Sequence, residues 1–259
     1  MRIISWNVNG IRAVEKRGFV TWARDESPDV LCIQETKAEP GQLSEDLRQL
    51  KAGDNKVYHD YWASAKRKGY SGTAIYSKIE PLSVKPMGIT AFDDEGRVLQ
   101  ADYGEFVLIC AYFPNSQDAG ARLPYKLGFC AAMLELCNGL VKKGRHLVLC
   151  GDYNIAHTPI DIARPKENEG NAGYLPEERA WMDTFTAAGY ADTFREQHPG
   201  ERDHYSWWSY RMNARERNVG WRIDYHCVDR PFLPRVTKSI IRPDVQGADH
   251  CPVQIDLDL

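Results

Sequence analysis

Residues 147–154 read Leu147-Val148-Leu149-Cys150-Gly151-Asp152-Tyr153-Asn154, a short apolar run followed directly by polar residues. An apolar run of this length, bounded by polar residues, is typical of a buried β-strand. The polar residues would then lie beyond the strand's carboxyl end, which is where ligand sites gather in α/β sheets. This stretch therefore predicts a sheet protein whose chemistry lies along one edge of the sheet.

Polar hydrogen-bonding residues meet the end of a predicted strand at four other places in the chain. Any one such segment is more often a simple turn, because Asp and Asn bond the local backbone. Their recurrence in one chain favours a shared active site. The four segments are Asn7-Val8-Asn9-Gly10, Gln34-Glu35-Thr36-Lys37, Tyr112-Phe113-Pro114-Asn115 and Asp249-His250-Cys251-Pro252.

Short apolar strands alternate with amphipathic helices along the chain, without a linker or a tandem repeat. The predicted helices cover 19–26, 42–52, 122–143 and 176–188. The predicted strands cover 3–8, 29–34, 59–64, 72–77, 97–103, 106–113, 146–151, 205–210, 223–228, 236–242 and 252–258. We therefore predict an α/β fold in which 1–259 form a single domain of two packed sheets, with mixed strand directions and helices outside.

Composition excludes several classes of protein. The net charge of the 259 residues is −3, so any nucleic-acid surface must be local. The longest apolar runs are too short to cross a membrane, and no apolar leader precedes the first strand. The seven cysteines include no C-x-x-C pair, which favours buried, reduced thiols and a cytoplasmic location. Serine-hydrolase, P-loop, Rossmann and zinc-finger motifs are absent from the sequence.

The residue types at the strand ends fit hydrolysis of a phosphodiester, which needs a hard cation, an activated water and donors to phosphate oxygens. Glu35 offers an oxygen ligand of the kind that Mg²⁺ prefers, and Asp152 can hold or deprotonate a water. Tyr112 and His250 can donate to phosphate oxygens, while Asp224 could fix the tautomer of His250 and favour its protonated form. Neutral amides beside the anion come from Asn7 and Asn154.

Tryptophan and arginine are concentrated in residues 205–225, which hold three of the seven tryptophans and four arginines. Arginines contact phosphates and aromatic rings stack on sugars and bases, so the segment indicates a nucleic-acid surface. The alternative is a strand pair with core tryptophans and solvated arginines. The basic loop 66–72 is similarly open to two interpretations, a DNA-backbone contact and a solvated turn.

These segments, together with 161–173 and 218–225, resemble the exonuclease III family of abasic-site endonucleases, within the endonuclease/exonuclease/phosphatase superfamily. The resemblance runs from Ile3 to the C-terminus. It implies a four-layer α/β sandwich of two mixed sheets flanked by helices. It also implies a monomeric, nucleoid-associated DNA-repair hydrolase. Such an enzyme uses Mg²⁺, for which Mn²⁺ can substitute, to cut the phosphodiester 5′ to abasic sites in duplex DNA. The products are a 3′-hydroxyl and a 5′-deoxyribose phosphate, and 3′→5′ exonuclease and 3′-end-cleaning activities accompany this cleavage.

The resemblance also implies a role for each matching residue. Asp152 would orient or deprotonate the attacking water, and Asn154 would help to position it. His250, paired with Asp224, would bind the scissile phosphate together with Tyr112. The implied metal ligands are Glu35, with Asn7 and Asp249 nearby.

The implied DNA contacts include an apolar pocket for a flipped, baseless sugar, formed by Trp207, Trp221 and Ile223. Flipping such a nucleotide costs less than flipping an intact one, because no stacked base has to be extracted. The remaining implied contacts are Asn115, Asn168, Asn171, Arg211, Tyr70 and Lys37.

Four positions depart from the pattern of some relatives. Trp207 is bulkier than phenylalanine, and Asp118 stands where some relatives have a basic residue. Asn9 replaces an aspartate, which leaves one fewer carboxylate around the metal. Arg211 replaces an apolar wedge, and we hypothesise that it enters the duplex or contacts the opposite strand.

Two alternative functions compete with the DNA-repair hydrolase. One is a phosphatase of the same superfamily that acts on inositol lipids or another phosphoester; segments 161–173 and 205–225 argue against it. The other is a DNA-binding relative without activity, which the presence of Glu35, Asp152, Asn154 and His250 does not support.

Overall fold

Two six-stranded sheets, packed face to face between layers of helices, make up the computed structural model, which describes residues 1–259. The first sheet has the strand order β11-β12-β1-β2-β4-β3 and the second has the order β5-β6-β7-β8-β10-β9. Each sheet contains one parallel pair, β1 with β2 and β7 with β8, among antiparallel neighbours. The predicted α/β sandwich of two mixed sheets is therefore confirmed.

The strands are short, and most of them are buried along most of their length. Those of the first sheet are β1 (Arg2–Asn7), β2 (Val30–Gln34), β3 (His59–Ala63), β4 (Thr73–Ser77), β11 (Val236–Ile241) and β12 (Val253–Leu257). Those of the second are β5 (Ser83–Lys85), β6 (Val98–Asp102), β7 (Phe106–Tyr112), β8 (His146–Asp152), β9 (Tyr190–Asp192) and β10 (Asp224–Asp229).

Seven α-helices accompany the sheets, and none combines the length and apolar character that a membrane crossing requires. The helices are α1 (Ile11–Glu15), α2 (Phe19–Glu26), α3 (Glu45–Arg48), α4 (Thr90–Asp93), α5 (Leu123–Lys142), α6 (Pro176–Ala187) and α7 (Thr193–Gln197). The helix predicted over 122–143 is thus found within one residue at each end. Gly144 follows it in the left-handed conformation that commonly ends a helix.

Alternation along the strands builds three apolar layers. In β1, Ile3 belongs to the cluster between the two sheets, whereas its neighbour Ile4 belongs to the cluster beneath α1, α2 and α3. Successive side chains of a strand point to opposite faces, so a strand covered on both faces is apolar throughout. A third cluster packs α5 and α6 on the outer face of the second sheet. All seven cysteines are buried and none is paired, as predicted.

The two parallel pairs place four strand ends at one edge of the sandwich. Asn7 is paired with Gln34 at the ends of β1 and β2, and Tyr112 is paired with Asp152 at the ends of β7 and β8. Contacts between β1 and β8 and between β2 and β7 bring the two pairs together across the sheet interface. The polar residues after these strands therefore share one region of the molecule.

The strand predicted over 205–210 is wrong. Only isolated bridges form there, from Trp207 to Trp221 and from Trp207 to His250, and the segment lies outside both sheets. Its apolar residues Tyr205 and Trp208 are buried in a small separate cluster. The alternating pattern therefore reflects a well-packed loop.

The helix predicted over 42–52 is also wrong in extent, because only Glu45–Arg48 are helical. Ser44 caps this turn by accepting a hydrogen bond from the backbone N–H of Leu47 at 3.2 Å. Beyond it the chain reverses, with a bridge between Lys51 and Val57. Five other short elements escaped prediction, because a segment of three to five residues has little measurable periodicity: β5, β9, α1, α4 and α7.

Candidate active site

Asn7 joins two carboxylates that come from different sheets. Its side-chain nitrogen donates to Oε1 of Glu35 at 3.0 Å and to Oδ2 of Asp152 at 2.8 Å. Its side-chain oxygen, Oδ1, accepts the backbone N–H of Asn9 at 3.0 Å, which fixes the orientation of the side-chain amide. Glu35 lies just beyond β2 with a φ of 52°, so the chain turns away there and leaves the carboxylate at the sheet edge.

Asp152 is almost completely buried and is surrounded by donors. Its Oδ1 accepts the backbone N–H of Asn154 at 2.7 Å, and its Oδ2 accepts the side-chain amide of the same residue at 3.1 Å. Burial raises the pKa of this carboxyl to about 7, and the charge of His250 opposes that rise. A carboxyl with such a pKa can accept a proton near neutral pH.

His250 faces Asp152 and is held from behind by Asp224. Its Nδ1 lies 2.8 Å from Oδ2 of Asp224, and its Nε2 lies 3.9 Å from Oδ2 of Asp152. Burial disfavours the charged imidazole, but the Asp224 carboxylate outweighs burial and raises the pKa of His250 to about 10. The imidazole is therefore a cationic donor at neutral pH. This contact confirms the pairing of Asp224 with His250 predicted from the sequence.

Two carboxylates could hold a cation at this edge, because ligand atoms of Glu35 and Asp152 lie within 4.8 Å of each other and of the imidazole of His250. Carboxylate oxygens are ligands that Mg²⁺ prefers, so Glu35 and Asp152 fit such an ion, while the amide nitrogen of Asn7 holds the two carboxylates in place. Lys37 approaches from the other side, with its Nζ 2.7 Å from Oε2 of Glu35. Lys37 therefore pairs with Glu35 in this structure, and its role as a DNA contact stays a prediction.

Asp249, expected near the metal, is not a member of that three-residue group. Its Oδ1 accepts the side-chain amide of Asn9 at 3.0 Å, and its Oδ2 accepts the indole N–H of Trp207 at 3.1 Å. Asn9, where some relatives have aspartate, thus donates to Asp249, and its oxygen in turn accepts from Lys37. The role of Asp249 as a metal ligand stays a prediction.

Tyr112 stands beside the carboxylates at the end of β7. Burial raises the pKa of its phenol well above the ordinary value, and the nearby charges of Glu35 and Asp152 add to that rise. The phenol therefore remains a proton donor. The guanidinium of Arg97 lies 4.9 Å from the centre of the Tyr112 ring and also donates to the Tyr112 carbonyl at 3.0 Å.

A cavity of about 1000 Å³ opens over these groups. Trp207 and Trp221 form one wall as an edge-to-face pair, with ring centroids 5.9 Å apart and planes at 87°, and Ile223 lies beside them. The wall is apolar and adjoins the floor that carries Asp152 and His250. The other predicted site residues that line the cavity are Glu35, Tyr112, Asn115, Asn154, Asn168, Asn171, Arg211 and Asp249.

The asparagines of the cavity are held in place by one another and by the backbone. Asn168 donates to the carbonyl of Arg164 at 3.0 Å and accepts from Asn171 at 3.0 Å. Asn115 donates to the side-chain oxygen of Asn154 at 3.1 Å. These polar side chains therefore present fixed hydrogen-bonding groups to the cavity.

Tyr70 does not line the cavity. Its hydroxyl accepts from Arg97 at 3.0 Å and from Arg122 at 2.6 Å, and lies 3.4 Å from Glu95. Its role as a DNA contact stays a prediction. Asp118, whose charge departs from the basic residue of some relatives, does line the cavity.

Ser206 is a residue of the site that sequence reasoning missed. Its hydroxyl accepts the backbone N–H groups of Ile223 and Asp224 at 3.1 Å each, and donates to Oδ2 of Asp224 at 2.7 Å. It therefore stabilises the carboxylate that charges His250. No signal in the sequence marks it, because it lies in a segment predicted to be a strand.

The fold and this site define an α/β-sandwich hydrolase with acid–base groups on the floor of one cavity. A family model described as the Endonuclease/Exonuclease/phosphatase family matches residues 4–250, and the chain belongs to this family. The chain is similar to the exodeoxyribonuclease of Bacillus subtilis (strain 168), with 42% identity over 261 residues that cover both chains completely. It is 42% identical over 259 residues to the DNA repair nuclease APEX1 of Danio rerio, covering 99% of this chain and 82% of that protein.

A solved structure extends this likeness to the fold. The AP endonuclease LMAP from Leishmania major superposes with a TM-score of 0.87 at 28% identity, covering 100% of this chain and 87% of that one. The family membership expected from the sequence motifs is thereby confirmed.

Proposed function

We propose that the protein is a DNA-repair hydrolase that cuts the phosphodiester 5′ to an abasic site in duplex DNA. The products are a 3′-hydroxyl and a 5′-deoxyribose phosphate, and the same site removes 3′-blocking groups and digests DNA 3′→5′. One observation carries the proposal: Glu35, Asp152 and His250 meet within 4.8 Å on the floor of a cavity whose wall is formed by two tryptophans. The similarity to a DNA repair nuclease and an AP endonuclease supports the choice of substrate.

Asp152 serves as the proton acceptor in the proposed reaction. Its ionised form removes a proton from the attacking water, whose oxygen forms a new bond to phosphorus while the bond to the 3′-oxygen breaks. The 3′-oxygen leaves with the electron pair of that bond and takes a proton from solvent to give the 3′-hydroxyl. The charged Nε2–H of His250 and the phenol of Tyr112 donate to the non-bridging oxygens, where negative charge builds up. Asn154 holds the Asp152 carboxyl at the cavity through two hydrogen bonds, which fix its orientation.

Glu35, Asn7 and Asp249 are the residues that would hold a divalent cation in this proposal. A Mg²⁺ ion held there, for which Mn²⁺ would substitute, would supply positive charge to polarise the phosphate and to stabilise the leaving oxygen. The carboxylate oxygens of Glu35 fit such an ion, whereas Asn7 would have to turn its amide oxygen towards the ion, since its nitrogen donates to Glu35.

The cavity wall accounts for the preference for a baseless nucleotide. Trp207, Trp221 and Ile223 offer an apolar surface for the sugar, whereas an intact nucleotide would have to be unstacked and its base accommodated. Arg211 and the asparagines of the cavity lie where they can contact the DNA backbone. We infer that 1–259 act as one domain, because a cluster of 17 buried residues joins the two sheets.

Cleavage of three substrates tests the function: a duplex with one tetrahydrofuran abasic analogue, the same duplex intact but with a recessed 3′ end, and phosphoinositides in vesicles. We expect Mg²⁺-dependent incision 5′ to the analogue, slower 3′→5′ digestion, and no phosphate release from the lipid. The control is the same assay in excess EDTA. Turnover of the lipid alone would reject the proposal in favour of a phosphatase.

A further inference from the structure

Lys126 has no exposed surface, although it carries a charged side chain. It lies in α5, and its Nζ donates to the backbone carbonyl of Asn154 at 2.6 Å and to Oε1 of Glu178 at 2.7 Å. Glu178, in the first turn of α6, is equally buried. Lysine and glutamate are almost never fully buried unless they are paired, and such a pair is weak evidence for stability alone.

Glu178 links this ion pair to the rim of the cavity. Its Oε1 also accepts the hydroxyl of Ser116 at 2.7 Å, and its Oε2 accepts the backbone N–H of Leu175 at 2.9 Å. Ser116 follows Asn115, whose side chain donates to the Asn154 side chain. Both the backbone and the side chain of Asn154 are therefore connected to one buried pair.

Asn154 has a backbone conformation that needs support. Its φ of 51° lies in the left-handed region, which directs its N–H towards Asp152 and its carbonyl into the protein interior. The Lys126 ammonium is the sole hydrogen-bond donor to that carbonyl. A buried carbonyl requires a partner, so Lys126 stabilises the conformation in which Asn154 holds Asp152.

We propose that Lys126 is a positioning residue that sets the orientation of the Asp152 carboxyl through Asn154, with Glu178 as its counterion. Lys126 does not line the cavity, so it affects the chemical step and leaves DNA binding unchanged. The inference rests on the proposed function in one respect, namely that Asp152 is the proton acceptor.

Two variants that differ only in the donor at position 126 provide the test. In Glu178→Gln the new amide oxygen can still accept from Lys126, and Lys126 can still donate to Asn154; in Lys126→Met/Glu178→Gln the donor is gone. Glu178→Gln removes the counterion of a buried charge and should cost stability, but we expect the folded single variant to keep its turnover within about threefold of wild type. The double variant should lose about 10- to 100-fold in kcat with KM within about twofold, since a small misplacement of a reacting group has costs of that size. Lys142→Met, the same substitution at the exposed end of α5, should leave both constants unchanged.

Equal kcat values for the single and double variants would overturn the proposal. If Lys126→Met/Glu178→Gln does not fold, the apolar pair Lys126→Met/Glu178→Met replaces it and is compared with wild type. Hydrogen exchange of the Asn154 amide, measured without DNA, adds a readout that needs no substrate: it should accelerate in the double variant relative to the amides of β8. If exchange accelerates in the double variant but the wild type does not cut abasic DNA, the result contradicts the proposed function and leaves this inference standing. Unaltered exchange and kcat in an active enzyme would contradict this inference alone.

Discussion

His250 and Asp224 form a hydrogen bond of 2.8 Å between Nδ1 and Oδ2, which fixes the charge of the imidazole. The pairing of β10 with β8 places Asp224 directly opposite Asp152, so the same imidazole faces a second carboxyl at 3.9 Å. One histidine thus lies between a carboxylate that keeps it protonated and a carboxyl that exchanges protons near neutral pH. This arrangement separates the donor from the acceptor of the reaction.

The pH dependence of cleavage should change when Asp224 becomes asparagine. The wild-type rate should rise as Asp152 ionises around its pKa of about 7, and should fall as His250 loses its proton around its pKa of about 10. In Asp224→Asn the main charge that raises the pKa of His250 is gone, so the alkaline fall should move to lower pH. Single-turnover rates between pH 6 and pH 10.5, about the range of these two groups, would show the shift.

Asp203→Asn is a matched control for this experiment, because Asp203 is an exposed carboxylate outside the cavity. Its pH profile should coincide with that of wild type. An alkaline limb that stays in place in Asp224→Asn would mean that His250 is not the group that titrates there.

Asp152→Asn should abolish most of the chemical rate while DNA binding survives. The amide can still accept the N–H of Asn154 through its oxygen, but it cannot take a proton from water. General-base catalysis typically contributes about 10²- to 10⁴-fold, and we expect a loss in that range or above. Fluorescence anisotropy of an abasic duplex would measure binding, and quenched-flow incision would measure the rate. Near-normal turnover would show that another group accepts the proton.

Glu35→Ala should lower the incision rate and raise the Mg²⁺ concentration needed for half-maximal activity. Glu35 is the carboxylate that Asn7 and Lys37 hold at the cavity edge, and its loss removes one oxygen ligand from a set that has few. Titration of Mg²⁺ in the incision assay would detect the change. Glu135→Ala, at an exposed position of α5, serves as control. A titration curve identical to that of wild type would contradict the metal assignment.

Sequence reasoning located the site because its signal is local. Each of Asn7, Glu35, Tyr112 and Asp152 directly ends or follows an apolar run, and the parallel pairing of those runs brings their ends together. The long helices were found for the same reason, since 20 residues of α5 display a clear period. The contact of Asp224 with His250 does not follow from spacing in the sequence, because Asp224 begins β10 of the second sheet and His250 precedes β12 of the first.

Features that depend on contacts distant in sequence could not be predicted. The hydroxyl of Ser206 accepts the backbone N–H groups of Ile223 and Asp224, at the start of β10. Nothing near Ser206 in the sequence indicates these contacts. The strand predicted over 205–210 failed because Tyr205 and Trp208 are apolar residues buried in a packed loop rather than in a strand. Trp207 bonds Asp249 through its indole N–H, a contact that no local pattern reveals.

Asp161→Asn should destabilise the fold and distort the tryptophan wall. Asp161 is completely buried, and its Oδ1 accepts from Nε of Arg222 at 2.7 Å and from Nε of Arg195 at 3.0 Å. Burial alone would raise the pKa of this carboxyl, but the charges of Arg222 and Arg195 outweigh burial and hold the pKa below its ordinary value. Removing the charge takes one carboxylate from the buried Arg222, which keeps Asp192, and from the partly buried Arg195, and breaking a buried pair typically costs up to about 3 to 5 kcal/mol.

The sign of the pH effect follows from that lowered pKa. Asp161 contributes stability that is fully present above the unfolded-state pKa of about 3.9 and is lost as pH falls through the folded-state pKa. In Asp161→Asn, the free energy of unfolding should therefore be lower at pH 7 and should fall less steeply than that of wild type on acidification below about pH 4. Urea unfolding at several pH values would measure both effects, with Asp183→Asn, whose side chain is 76% exposed, as control. A decrease of less than about 1 kcal/mol in the free energy of unfolding at pH 7 would mean that Asp161 contributes no more than an ordinary surface ion pair. It would also contradict the inference that this network holds Trp221 and Ile223, the neighbours of Arg222, in place.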